Sequence, residues 1–68
     1  MTSYIFKYDL AQAYFPDVSP ASAARLLNRE LHHNPDLWQS LLDANYSPSQ
    51  KRFTPLQVQI IYRYLGEP

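Results

Sequence analysis

Three times in 68 residues the chain places a capping side chain directly before a proline: Ser19-Pro20, Asn34-Pro35 and Thr54-Pro55. Ser, Asn and Thr accept hydrogen bonds from the orphan backbone N–H groups of a first helical turn. Proline suits the first helical position, where its missing N–H is not needed and its φ is already helical. Each pair therefore marks a helix start, and together they cut the chain into short helices. The third start is the best marked. Thr54 and Gln57 have the T-x-x-Q spacing of a capping box, and Phe53 and Val58 stand where a hydrophobic staple joins the residue before the cap to the fourth helical position.

Apolar periodicity completes the elements. A first helix is expected from about Tyr8 to Phe15, with Leu10, Ala11 and Tyr14 on one face. Pro16 ends it, because the residue before a proline avoids the α region. The second helix, about 20 to 32, carries Ala24, Leu27 and Leu31 as its buried stripe, with Ala23 beside it. The third, about 35 to 44, buries Leu37, Trp38, Leu41 and Leu42, and Asp36 in its first turn complements the helix dipole. Asn45 is its expected left-handed stop. The fourth, about 55 to 65, buries Val58, Ile61 and Leu65, widened by Ile60, Tyr62 and Tyr64, and stops at Gly66. Residues 1–7, where Tyr4 and Phe6 lead to Tyr8 by alternation, pack onto the domain as a lead-in or form a short extended arm. The polar stretch 46–52 reads as an ordered loop. The fold class expected is all-α: four short helices around one small core, arranged like a helix-turn-helix, in a single domain over residues 1–68.

Composition narrows the function. With no cysteine there is no disulfide and no thiolate metal site. A single glycine argues against Gly-rich phosphate loops and against an all-β fold. The start Met1-Thr2-Ser3-Tyr4 does not read as a signal peptide, and no apolar run reaches the roughly 20 residues that span a bilayer. A cytoplasmic location without membrane association is expected. Six basic and six acidic residues cancel, so no overall field draws the chain to nucleic acid. Any anion binding then depends on charge segregated onto one face.

The run Leu10-Ala11, Tyr14-Phe15-Pro16-Asp17, Ser19-Pro20 with Ala23 and Arg25, and Asn34-Pro35 continues with Tyr46, Pro48, Thr54-Pro55, Gln57-Val58 and Ile61. It ends on Leu65-Gly66-Glu67-Pro68. This pattern resembles a family of very short bacterial proteins classed as a domain of unknown function. The likeness covers nearly the whole chain and implies no particular activity. A short helix with Leu-Ala, a tight turn and a longer capped helix also resemble helix-turn-helix DNA-binding modules, a more generic likeness.

The strongest candidate surface is the polar face of the second helix: Ser22, Arg25, Asn28, Arg29 and His32. These types suit a recognition helix, with arginine for guanine or phosphate, asparagine for adenine and serine for the backbone. Lys51 and Arg52 form a second basic spot placed to touch phosphates. The competing explanation is an ordinary solvated surface, tempered by Asp17 and Glu30. His32 and His33 are adjacent and diverge, and neither Cys nor a third His completes a metal site, so no metal or cofactor is expected. Asp9, Asp17, Asp36 and Asp43 fall at helix ends, where dipole and capping roles account for them. No enzyme activity and no small-molecule substrate are expected. Two functions remain: a DNA-binding accessory module, or a protein-interaction module docking a larger partner through tyrosine-rich or second-helix surfaces. Clustering of Arg25, Arg29, Lys51 and Arg52 on one face favours DNA; dispersed charge beside an exposed apolar patch favours a protein.

Overall fold

A computed structural model describes residues 4–68. Its helices are α1 (Lys7–Tyr14), α2 (Pro20–His33), α3 (Pro35–Asp43) and α4 (Pro55–Leu65). All three proline-marked starts are capped as their chemistry requires. Ser19 Oγ accepts from the Ser22 N–H at 3.3 Å, Asn34 Oδ1 from the Leu37 N–H at 3.2 Å, and Thr54 Oγ1 from the Gln57 N–H at 3.2 Å. The Gln57 side chain returns the favour, its Oε1 accepting from the Thr54 N–H at 3.0 Å, which closes the capping box.

The end of α3 is as well defined. Asn45 has φ +64°. Its N–H donates to the Leu42 carbonyl, and the Tyr46 N–H donates to the Leu41 carbonyl at 2.9 Å. These two bonds make a Schellman motif, which satisfies carbonyls that the helix leaves without partners. The motif also turns Tyr46 back onto the core, where it is buried together with Leu41.

Two short strands were not expected. Residues 5 and 6 form β1 (Ile5–Phe6), which pairs antiparallel with β2 (Arg52–Phe53) in the register Ile5↔Phe53 and Phe6↔Arg52. The Lys7 N–H extends the ladder to the Lys51 carbonyl at 3.0 Å. The lead-in is therefore a strand from Ile5 onward, and the expected loop 46–52 ends inside its partner. Met1, Thr2 and Ser3 of the expected arm lie outside the described residues. The pair is too short to change the class, and the all-α reading stands.

The core joins all four helices and both strands. Leu10, Ala11, Ala23, Leu27, Leu31, Leu37, Leu41, Tyr46, Phe53, Val58 and Ile61 are buried, with Trp38, Ile60, Tyr62 and Leu65 packed at its margin. The expected trio Leu27, Leu41 and Ile61 belongs to it. α1 packs chiefly on α2. Ala11 and Ala23 are wholly buried, and such small side chains let helices approach closely.

Five burial expectations need correction, two of them because Trp38 and Leu65 are only half-buried at the core margin. On α2 the stripe is Ala23, Leu27 and Leu31; Ala24 is half-buried. A strict i, i+4 ridge faces the core there, and Ala24 lies one step round the helix. Leu42 is 40% exposed, because the core face of α3 is the i, i+4 pair Leu37 and Leu41. Tyr64 is likewise exposed, with its hydroxyl 3.4 Å from Ser40 Oγ.

Candidate functional site

The loop between α3 and β2 is held from below by a buried amide. Gln57 has no solvent exposure. Besides closing the capping box, its Nε2 donates to the Ala44 carbonyl at 3.0 Å, and its Oε1 accepts from Gln50 Nε2 at 2.7 Å. Gln50 Nε2 also reaches the Arg52 carbonyl, and Gln50 Oε1 accepts from the Ser47 N–H at 2.9 Å. The Gln50 N–H closes a turn onto the Ser47 carbonyl at 3.0 Å, with Pro48 at the position where its fixed φ is favoured. Two glutamines thus fasten the loop to the start of α4 and the end of α3.

Lys7 fastens the same loop from the other side. Its ammonium donates to the Pro48 carbonyl at 3.0 Å and lies 4.8 Å from the centre of the Tyr46 ring. That ring stacks on Phe53, with centroids 5.7 Å apart, and meets Trp38 edge-on. Burial pulls the Lys7 pKa below its ordinary value. Burial also pushes the Tyr46 hydroxyl up to about 12, and that hydroxyl finds no hydrogen-bond partner among the described residues.

A loop so held stands off α2 and leaves a groove of about 740 Å³. One wall is α2, with Arg25, Asn28 and His32. The other is built from Tyr8, Pro48 and Lys51, and Lys7, Tyr46 and Phe53 also line the groove. A shallower hollow adjoins it and shares Phe6, Gln50 and Lys51; Tyr4, Arg52 and Thr54 complete its lining. Across the strand pair the Arg52 guanidinium lies 5.5 Å from the Tyr4 ring centre and 5.8 Å from that of Phe6. Such cation–π contacts hold an arginine beside aromatic faces without neutralising it.

The expected surface residues divide accordingly. Arg25, Asn28, His32 and Lys51 meet in the main groove, and Arg52 lines the adjoining hollow. Arg29 is exposed on α2 but lines neither. Ser22 is drawn into the α2 cap, its Oγ 3.1 Å from Ser19 Oγ. The His32 ring lies 4.1 Å from the Trp38 ring, tilted by 31°. No cluster of three metal-ligating side chains exists among the described residues, and none of their helices is long and apolar enough to cross a membrane.

Lys7 and Phe6 are groove residues that sequence reasoning missed as a site, and Tyr8 and Tyr46 were expected only among the tyrosines of a protein-docking surface. Phe6 and Tyr8 flank Lys7 in the sequence, an aromatic–basic interleaving that was the available signal. Tyr46 gave none, because its place depends on the turn at Asn45.

The family model described as a domain of unknown function, DUF4248, matches residues 2–68. The chain belongs to this family. No curated protein and no solved structure matches it.

Proposed function

We propose that this DUF4248 chain is a small, non-catalytic, cytoplasmic binding module that holds DNA along the groove between α2 and the loop before β2. One observation carries this proposal. Lys7, Arg25, Lys51 and Arg52, four of the six basic residues, line the two adjoining hollows, and none of the six Asp and Glu residues does. A chain of zero net charge thereby acquires a cationic face suited to phosphates. A protein-interaction role is favoured by one separate observation. Leu42, Leu56 and Tyr64 are exposed on α3 and α4, helices that contribute nothing to the groove.

The test is fluorescence anisotropy with a labelled mixed-sequence DNA, titrated with protein at low and at raised salt. Binding is expected in the micromolar range, weakening as salt rises, since phosphate contacts release counterions. Arg25→Ala with Lys51→Ala should remove most of the affinity and flatten the salt dependence. Both side chains are exposed, so the melting curve should barely move. No binding at about 100 micromolar protein and low salt overturns the proposal, since non-specific DNA binding commonly falls within that range even at physiological salt.

A further inference from the structure

The rings beside these cations carry information that the charges do not. Tyr4 and Phe6 are two apart across β1, so they project to one side while Ile5 turns toward the core. Tyr8 follows in the first turn of α1. Each of the three is more than half exposed. These three rings, on one track, interleaved with Lys7, Lys51 and Arg52, form a stacking platform beside an anion path.

The lining of the groove bears on the form of the nucleic acid. A recognition helix reads duplex DNA by standing proud and entering a major groove about 12 Å wide. Here Arg25, Asn28 and His32 are exposed on α2 and share one hollow with Tyr8 of α1 and with Pro48 and Lys51 of the loop before β2. A helix face that shares its hollow with a loop and exposed rings matches a flexible strand better than the groove of a duplex. Phosphates of a single strand can follow Arg25, Lys7, Lys51 and Arg52, while its unpaired bases offer π faces to the rings. The Lys7 ammonium spends one of its three donors on Pro48 and keeps others. Base stacking on aromatic side chains beside a cationic groove is how proteins hold single strands with little sequence preference.

We propose that the two adjoining hollows bind single-stranded nucleic acid, its phosphates on Lys7, Arg25, Lys51 and Arg52 and its bases stacked on Tyr8, Phe6 and Tyr4. This rests on the nucleic-acid reading above and specifies the ligand. Asn28, the one neutral amide on the α2 wall, is the group placed to read a base edge.

The test compares a labelled pyrimidine-rich single strand of about 12 nucleotides, the same sequence as RNA, and the same sequence in a duplex. All three are titrated at one salt concentration. Single strands are expected to bind about ten-fold or more tightly than the duplex, and whichever of DNA or RNA binds better identifies the source of the strand. Tyr8→Leu and Phe6→Leu keep apolar bulk but remove the π face. Each should weaken single-strand binding about ten-fold with the salt slope unchanged. A circular-dichroism melt of each variant checks that β1 and α1 remain folded, and tyrosine fluorescence quenching by the strand reports stacking directly in the unaltered protein. Duplex binding as tight as single-strand binding, with Tyr8→Leu and Phe6→Leu unchanged, overturns this proposal and leaves the DNA-binding one standing. Absence of binding to all three probes overturns both.

Discussion

Tyr46 joins the stability of this molecule to its groove. Its ring stacks on Phe53, meets Trp38 edge-on and lies under the Lys7 ammonium, while its buried hydroxyl has no hydrogen-bond partner among the described residues. A buried hydroxyl that forms no hydrogen bond has lost its water and gained nothing. Tyr46→Phe keeps the ring and removes that burden. It should leave stability unchanged or raise it, by up to about 1 kcal/mol. Urea denaturation checks this, and a loss of more than about 1.5 kcal/mol would mean that the hydroxyl is hydrogen-bonded in solution. The neighbouring Asn45 presents the opposite case. Its φ of +64° is a conformation that Asn tolerates and most L-residues do not. Asn45→Ala should cost about 1–2 kcal/mol, whereas Asn45→Gly should be tolerated. Equal melts for Ala and Gly at this position would contradict the Schellman turn that brings Tyr46 inward.

At the scale of elements, the three capped starts were plain in the sequence because a cap is a local event, completed within four residues. Ser19, Asn34 and Thr54 needed no tertiary information. The strand pair was hidden for the opposite reason. Ile5 and Phe53 are 48 residues apart, and neither two-residue segment carries enough periodicity to announce itself. The buried stripe of α2 runs one step away from its expected course, through Ala23 instead of Ala24, because two adjacent alanines are identical in hydrophobicity. Basic residues were found one by one at Arg25, Lys51 and Arg52, but their union with Lys7 depends on how the loop stands off α2. Gln57 sets that loop. Its capping partnership was legible, and its reach to Ala44 and Gln50 was not. Thr54→Ala should therefore cost about 1 kcal/mol, the usual value of an N-cap. Gln57→Ala should cost more, about 2–4 kcal/mol, since it also empties a fully buried site and frees the Ala44 carbonyl and the Gln50 amide. Thermal or urea melts of the two variants check the ranking. If Gln57→Ala cost no more than Thr54→Ala, the loop would be held by something other than this amide.

At the scale of the whole molecule, α1 is tied to the end of α4 through a phenol that must keep its proton. The Tyr14 hydroxyl, at the end of α1, donates to the Gly66 carbonyl just past α4. Its pKa is pushed up to about 12, first by burial and then by the proximity of Tyr62 and Glu67. An ionised Tyr14 has no proton to donate, and its negative charge would face a carbonyl oxygen. Tyr46, at the centre of the aromatic stack, is also held up to about 12, by burial. For an acid whose native pKa is raised, the folded chain keeps a proton that the unfolded chain has already lost. The stability this contributes is fully present below the ordinary value of 10.0 and is lost as pH rises to about 12. Lys7 acts in the other direction. Its native pKa is lowered from 10.5, so the folded chain releases that proton first and the penalty of burying its charge fades as pH approaches 10.5. The Lys7 gain is therefore complete near the pH at which the tyrosine loss sets in. Far-ultraviolet circular dichroism followed with tyrosinate absorbance should show helix lost between pH 10 and about 12, as Tyr14 and Tyr46 ionise. Tyr46→Phe should make that loss shallower by deleting one of its two sources. A helical signal that stays flat through this window would show that neither phenol is held by the fold.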